Sequence, residues 1–133
     1  KLSIKPGRPM AYGAFEKTPY FGLPGNPVAA MITFYQLVQP ALKYLMGQDG
    51  YKLPSLLKAK CVAPITKRPG RLEFQRGFYN NYNGELSVKP TPHQGSGVLS
   101  SMSKANCLIV LGMDQKSIKV DDYVNIQLME GFV

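Results

Sequence analysis

Phe21-Gly22-Leu23-Pro24-Gly25-Asn26-Pro27 decides how the first third of the chain is read, because an apolar stretch of helical period over 28–45 follows it at once. Pro27 suits the first position of a helix, where a missing N–H costs nothing and φ is already set. Asn26 stands where a side-chain acceptor can cap orphan amides, and Gly22 and Gly25 permit tight turns. The segment therefore predicts a strand, a turn and a helix N-terminus of little bulk, a surface that suits an anion such as phosphate. Ordinary turn chemistry would use the same residues, so the decision rests on their surroundings.

Ala29, Ala30, Ile32, Thr33, Phe34, Leu37 and Val38 give the helix its apolar face. Pro40 predicts a kink or the start of a second helical turn, Gly47 ends the helix, and 48–50 read as a linker. Upstream lie a short strand, a turn over 5–9, a strand over 10–15, a polar turn and a strand over 20–23. Downstream the texture is β-rich. Residues 58–65 and 72–79 alternate, Asn83-Gly84 marks a hairpin tip, and strands follow over 85–89, 107–111 and 123–129, with one or two helical turns within 97–105. Five or so short strands suggest a small barrel or sandwich. The expected fold class is α+β: the tail of an α/β unit, a hinge near 47–53 and a compact β-domain.

With 133 residues and 44% apolar content the chain can pack a core, and 18% charged residues argue against disorder. No run of eighteen apolar residues is present, so no helical membrane span is expected. The opening Lys-Leu-Ser-Ile reads as the middle of a protein, and the chain is expected to be a fragment. Sixteen basic against eight acidic residues give a net charge of +8, which points to nucleic acid, anionic lipid or a phosphorylated small molecule. Cys61 and Cys107 form no CxxC and sit in apolar strand patterns, as buried reduced thiols of a cytosolic protein do.

Three clusters could carry chemistry. Lys1 and Lys5, at even spacing on a strand, share a face beside Arg8, and two ammonium groups with no nearby acid suit an oxyanion; an edge strand protected by lysine is the plainer reading. In the second, Arg71, Glu73, Gln75 and Gly77 share one strand face, and Leu72, Phe74, Arg76 and Phe78 the other. An arginine on an apolar face needs a carboxylate partner or a cleft whose ligand supplies the charge. Phe74 and Phe78 are expected to fill the core. The third is the run Thr91-Pro92-His93-Gln94-Gly95-Ser96-Gly97, whose glycines leave amides open to an oxyanion. His93 has no metal-ligand neighbours in sequence, and no acid completes a triad with Ser96. No P-loop or GxGxxG is present, and no acidic pair is placed to hold Mg²⁺.

The runs Lys1 to Pro9, Phe21 to Val28, Thr33 to Pro40, Gly70 to Gly77 and His93 to Ser96 resemble the C-terminal portion of the MoeA-type molybdopterin molybdenumtransferases, to which gephyrin is related. These blocks are ordered and spread over most of the chain. The resemblance implies an enzyme that inserts molybdate into adenylylated molybdopterin with Mg²⁺ assistance, releasing AMP, and that works as a cytoplasmic homodimer. It implies that 1–47 end a MogA-like α/β domain and that 53–133 form a small C-terminal β-barrel domain, the substrate cleft lying where they meet. It further implies substrate-binding roles for Lys1, Lys5, Arg8, Pro24, Asn26, Pro27, Arg76 and Ser96, with no catalytic residue and no metal ligand in this stretch. The Mg²⁺ ligands are expected upstream, so the fragment alone is expected to be inactive. Neither nucleic acid nor membrane is an expected partner. A scaffold module of the gephyrin type is the second reading. A small basic nucleic-acid-binding barrel is the third, and it would need Phe74, Phe78, Tyr79 and Tyr82 interleaved with basic residues on one exposed face.

Overall fold

The alternation over 57–128 closes on itself. In a computed structural model that describes residues 1–48 and 54–129, five strands pair in the cyclic order β5-β6-β4-β8-β7 and back to β5. They are β4 (Leu57–Cys61), β5 (Leu72–Tyr82), β6 (Glu85–Pro90), β7 (Cys107–Leu111) and β8 (Tyr123–Leu128). All neighbours are antiparallel except β4 and β6. The barrel leaves no free edge among these five. A sixth strand, β1 (Ile4–Lys5), lies parallel to the start of β5, with Ile4 opposite Leu72 and Lys5 opposite Glu73.

Inward-facing residues fill the barrel: Ala59, Cys61, Val88, Cys107, Ile109, Leu111, Val124 and Ile126, joined by Ile65. The period-2 alternation of β7 and β8 sets which side chains point in. Gly77 of β5 also faces this interior. A Cβ there would stand 2.8 Å from Ile109 Cγ1 and 3.1 Å from Cys107 Sγ, so only hydrogen fits.

A second core lies on the outside of the barrel. Helix α1 (Pro27–Thr33) packs Val28 and Ile32 against Phe74, Met102 and Leu108, with Met102 supplied by the short α3 (Ser100–Ser103). The helix then continues past Pro40. A π turn over Phe34–Val38, with the Gln39 amide donating to the Phe34 carbonyl, leads into α2 (Gln39–Leu45). The wider turn accommodates a ring that would otherwise collide with the carbonyl four residues back. Strands β2 (Ala11–Phe15) and β3 (Thr18–Gly22) form a separate two-stranded hairpin.

Several expectations are corrected. The strand expected over 58–65 stops at Cys61, where bends at Val62 and Ala63 precede Pro64; Ile65 retains a single bridge to Ile118. Phe74 is buried, but between barrel and helix, and Phe78 on the same strand face is 39% exposed because the helix does not reach it. Tyr79 packs against the barrel core on the opposite face and Tyr82 is exposed. Residues 49–53 of the expected linker and hinge lie outside the described residues.

Gly77→Val should destabilise the protein by about 2 kcal/mol through overpacking against Ile109, read as a lower urea midpoint with unchanged m-value. Both cysteines are free and buried. Burial pushes the Cys107 thiol up to about 12, partly opposed by its contact with the Tyr79 backbone. At pH 8 its thiolate fraction is on the order of one in ten thousand. Alkylation of Cys107 should therefore follow global unfolding and accelerate in step with urea.

Candidate functional site

Beside the second core, on one side of the barrel, lies a cavity of about 420 Å³ that Phe74 helps to line. Its walls come from the turn after β1, the Pro24–Asn26 entry to α1, the first half of β5 and the loop over 94–96. Six of the eight residues singled out from sequence line it: Lys5, Arg8, Pro24, Asn26, Arg76 and Ser96. Pro27 occupies the first turn of α1 and does not line it. Lys1 lines a neighbouring polar cavity instead. The expectation that Lys1 and Lys5 share a strand face is corrected, because β1 holds only Ile4 and Lys5. A bend at Ser3 and the Leu2 amide's bond to the Arg8 carbonyl (3.1 Å) turn Lys1 away.

Lys5 is not without an acid. Its Nζ lies 3.0 Å from Glu73 Oε1, across the β1–β5 pairing, and Glu73 is almost fully buried while Lys5 is half exposed. Gln75 Nε2 donates to the same oxygen at 3.0 Å. The turn that follows Lys5 sits directly on α1. Gly7 has φ +109, and a Cβ there would run into Thr33 Oγ1 and stand 3.2 Å from Ile4 Cδ1.

Arg76 is 1% exposed, and neutral oxygens accept from its Nε and Nη2. Nε donates to Ser101 Oγ at 3.1 Å, and Nη2 to the carbonyls of Gly95 (3.2 Å) and His93 (3.4 Å). Its backbone is held as firmly, because Gln94 accepts from its amide (2.9 Å) and donates to its carbonyl (2.8 Å). Burial pulls the Arg76 pKa down, with the charge of Glu73 acting the other way; a guanidinium keeps its proton under such a shift. Arg76 thus anchors the 93–96 loop and places a positive charge in the cavity wall.

The loop is tied to the helix as well. The Val28 amide donates to the Ser96 carbonyl (3.2 Å), and Asn26 Nδ2 donates to Ser96 Oγ (2.9 Å). Asn26 holds the N-cap position without a side-chain cap bond. The expected capping role is therefore corrected: the Asn26 side chain bridges to the barrel, and the first free amide of α1 is taken by protein.

Arg71 and Glu73 also line the cavity and were not among the singled-out site residues. Their signal lay in the spacing of Arg71, Glu73 and Arg76, but the β1–β5 pairing that brings Lys5 to Glu73 spans 68 residues. Four cationic side chains, Lys5, Arg8, Arg71 and Arg76, thus surround a space holding one carboxylate. Such a space favours an anion. It does not fit a hard divalent cation, which needs several oxygen ligands. Glu73 is already engaged, and among the described residues no group of three or more His, Cys, Asp or Glu could hold a metal.

Residues 58–129 match the family described as the MoeA C-terminal region (domain IV). The chain belongs to the MoeA family. It is 44% identical over 96% of its length to the Haemophilus influenzae molybdopterin molybdenumtransferase, of which it covers 32%. It is also 36% identical over 84% of its length to the Drosophila melanogaster molybdenum cofactor synthesis protein cinnamon, of which it covers 18%. Among solved structures, a Pyrococcus furiosus molybdenum cofactor biosynthesis protein superposes with a TM-score of 0.74 at 30% identity, covering 95% of this chain and 43% of that one. A MoeA protein from Pyrococcus horikoshii gives 0.72 at 32% identity, with 95% and 30% covered. This MoeA chain therefore spans about a third or less of the length of these curated relatives. No described helix is long and apolar enough to cross a membrane.

Arg76→Met should cost about 3 kcal/mol, because it strips buried oxygens of their donor, and should release the 93–96 loop, read as faster amide exchange at Val28 and Val98, whose amides donate to the Ser96 and Gly95 carbonyls. Lys5→Met, at a half-exposed ammonium, should cost less than Arg76→Met in the same denaturation assay.

Proposed function

We propose that this chain supplies the oxyanion-binding wall of a molybdopterin molybdenumtransferase, whose whole protein inserts molybdate into adenylylated molybdopterin and releases AMP. The observation that carries the reading is the cavity in which Lys5, Arg8, Arg71 and Arg76 face a single, already paired carboxylate. Membership of the MoeA family supports the choice of molybdate and molybdopterin as ligands. In this reading Lys5 and Arg8 meet the anion directly, since both are exposed. Arg76, buried in the wall, acts mainly through its charge, and Asn26 with Ser96 keeps the helix entry and the barrel loop at fixed separation. Pro24 shapes the wall, and Pro27 sets the direction of α1.

The division of labour follows from the same chemistry. The donor set here does not fit Mg²⁺, so its ligands belong to another part of the whole protein, as does the closure of the cleft by a second subunit of a homodimer. Residues 1–47 then belong to a MogA-like domain and 53–133 to the barrel domain. A small oxyanion is held here by cations and presented to chemistry that other residues perform.

Calorimetric titration of molybdate at moderate salt tests this. Saturable binding is expected, weakened about tenfold or more in Lys5→Ala and in Arg8→Ala through loss of a charge-assisted contact, with AMP competing. A folded protein that shows no saturable molybdate binding, or binding indifferent to both substitutions, would refute the reading.

A further inference from the structure

Among the described residues Glu73 is the one carboxylate that lines the main cavity, and its two oxygens are used unequally. Oε1 accepts from Lys5 Nζ and from Gln75 Nε2, each at 3.0 Å. Gln75 is itself buried, and the same Nε2 donates to the Thr66 carbonyl at 2.8 Å, so its amide protons are committed. Oε2 accepts from no donor among the described residues. It is not sealed in protein either: the buried side-chain atoms left without a partner there are Thr33 Oγ1 and Gln127 Nε2. Oε2 therefore opens onto the cavity that Glu73 lines, although the residue as a whole is only 5% exposed.

A carboxylate pinned through one oxygen presents the other as an acceptor already in place before any ligand arrives, which lowers the ordering cost of a contact to it. A tetrahedral anion drawn in by Lys5 and Arg8 brings its own oxygens towards Oε2. Where the facing oxygen carries a proton, an O–H···O⁻ bond forms, one of the short and strong kind. Where it carries none, two negatively charged acceptors meet and neither has a donor. Such a site discriminates through the group that the wrong ligand leaves unpaired. Near neutrality phosphate retains a proton on oxygen, whereas sulfate, of nearly the same size and shape, retains none. Molybdate is a stronger base than sulfate and shares a proton more readily.

We propose that Glu73 is a specificity-determining residue, whose free oxygen selects tetrahedral oxyanions that carry a proton or readily accept one and rejects sulfate. The inference rests on reading the main cavity as an oxyanion site, and it adds a rule for which oxyanion the cations retain. A salt bridge that served only to join β1 to β5 would engage Oε1 equally well, but it would not distinguish one tetrahedral anion from another.

The test is a calorimetric series with phosphate, sulfate and molybdate at neutral pH and constant ionic strength. Phosphate should bind about tenfold or more tighter than sulfate, the worth of one charge-assisted hydrogen bond, with molybdate between them. Arsenate and selenate repeat the contrast in larger tetrahedra, and arsenate should bind the tighter. Glu73→Gln, shown folded by circular dichroism, removes the charge and offers a donor. It should bring the phosphate-to-sulfate ratio to about threefold or less, chiefly by raising sulfate affinity. Asp121→Asn removes an equal charge from a residue that pairs with Lys60 and does not line the cavity, and should leave the ratio unchanged. Equal binding of phosphate and sulfate, molybdate weaker than sulfate, or a ratio that survives Glu73→Gln or falls as far in Asp121→Asn would overturn the role of Glu73 alone. A preference for selenate over arsenate would do the same with no variant needed. Failure of every anion to bind would overturn this inference and the oxyanion reading together.

Discussion

Everything near the site depends on the first half of β5 being buried on both faces. From Glu73 to Gly77 every residue is buried, with alternate positions directed to the barrel and to the surface that α1 covers. A strand in that position is usually a continuous apolar run. Here it reads Glu-Phe-Gln-Arg-Gly, so three polar side chains must each find partners. They do so by reaching to three different segments. Glu73 takes Lys5 of β1, Gln75 donates to the Thr66 carbonyl (2.8 Å), and Arg76 gathers His93, Gly95 and Ser101. The polar demand of one strand thus collects the loops that wall the cavity.

That arrangement separates two tasks which a ligand site must combine. The deeply buried cation, Arg76, is held through Nε and Nη2 by protein oxygens and supplies field and rigidity. The exposed cations, Lys5, Arg8 and Arg71, keep donors for a ligand and pay little desolvation. Charges differing this much in burial act over different distances, since screening by water is strong only at the surface.

Much of the fold was legible in local pattern. Cys107 to Leu111 reads as a buried strand and is one, Asn83-Gly84 sits at the tip of the β5–β6 hairpin, and Pro27 stands at the first helical position. What local pattern cannot carry is pairing at long separation. The alternation of β5 separates two faces without revealing that both are covered, so Phe74 and Phe78 looked equivalent although only Phe74 lies under α1. Lys5 looked free because its acid lies 68 residues away. Asn26 looked like a cap because the acceptor geometry of a helix entry is a local rule, whereas its actual partner, Ser96, is 70 residues distant. The site residues were recognisable by type and spacing. Their division into anchors and ligand contacts required the tertiary arrangement.

The strand order has a consequence for how the chain is made. β8, the last strand in chain order, is inserted between β4 and β7 rather than added at the rim. A chain emerging from the ribosome can form the β5–β6 hairpin and its pairing with β7, both of which join strands near in sequence. The interior that holds Cys61 and Cys107 stays open along one seam until residues beyond 123 are released, because only then can β4 be joined to β7. Closure is thus the slow, non-local event. The oxidation-sensitive and aggregation-prone interior is exposed for the whole interval of synthesis between the first barrel strand and the last.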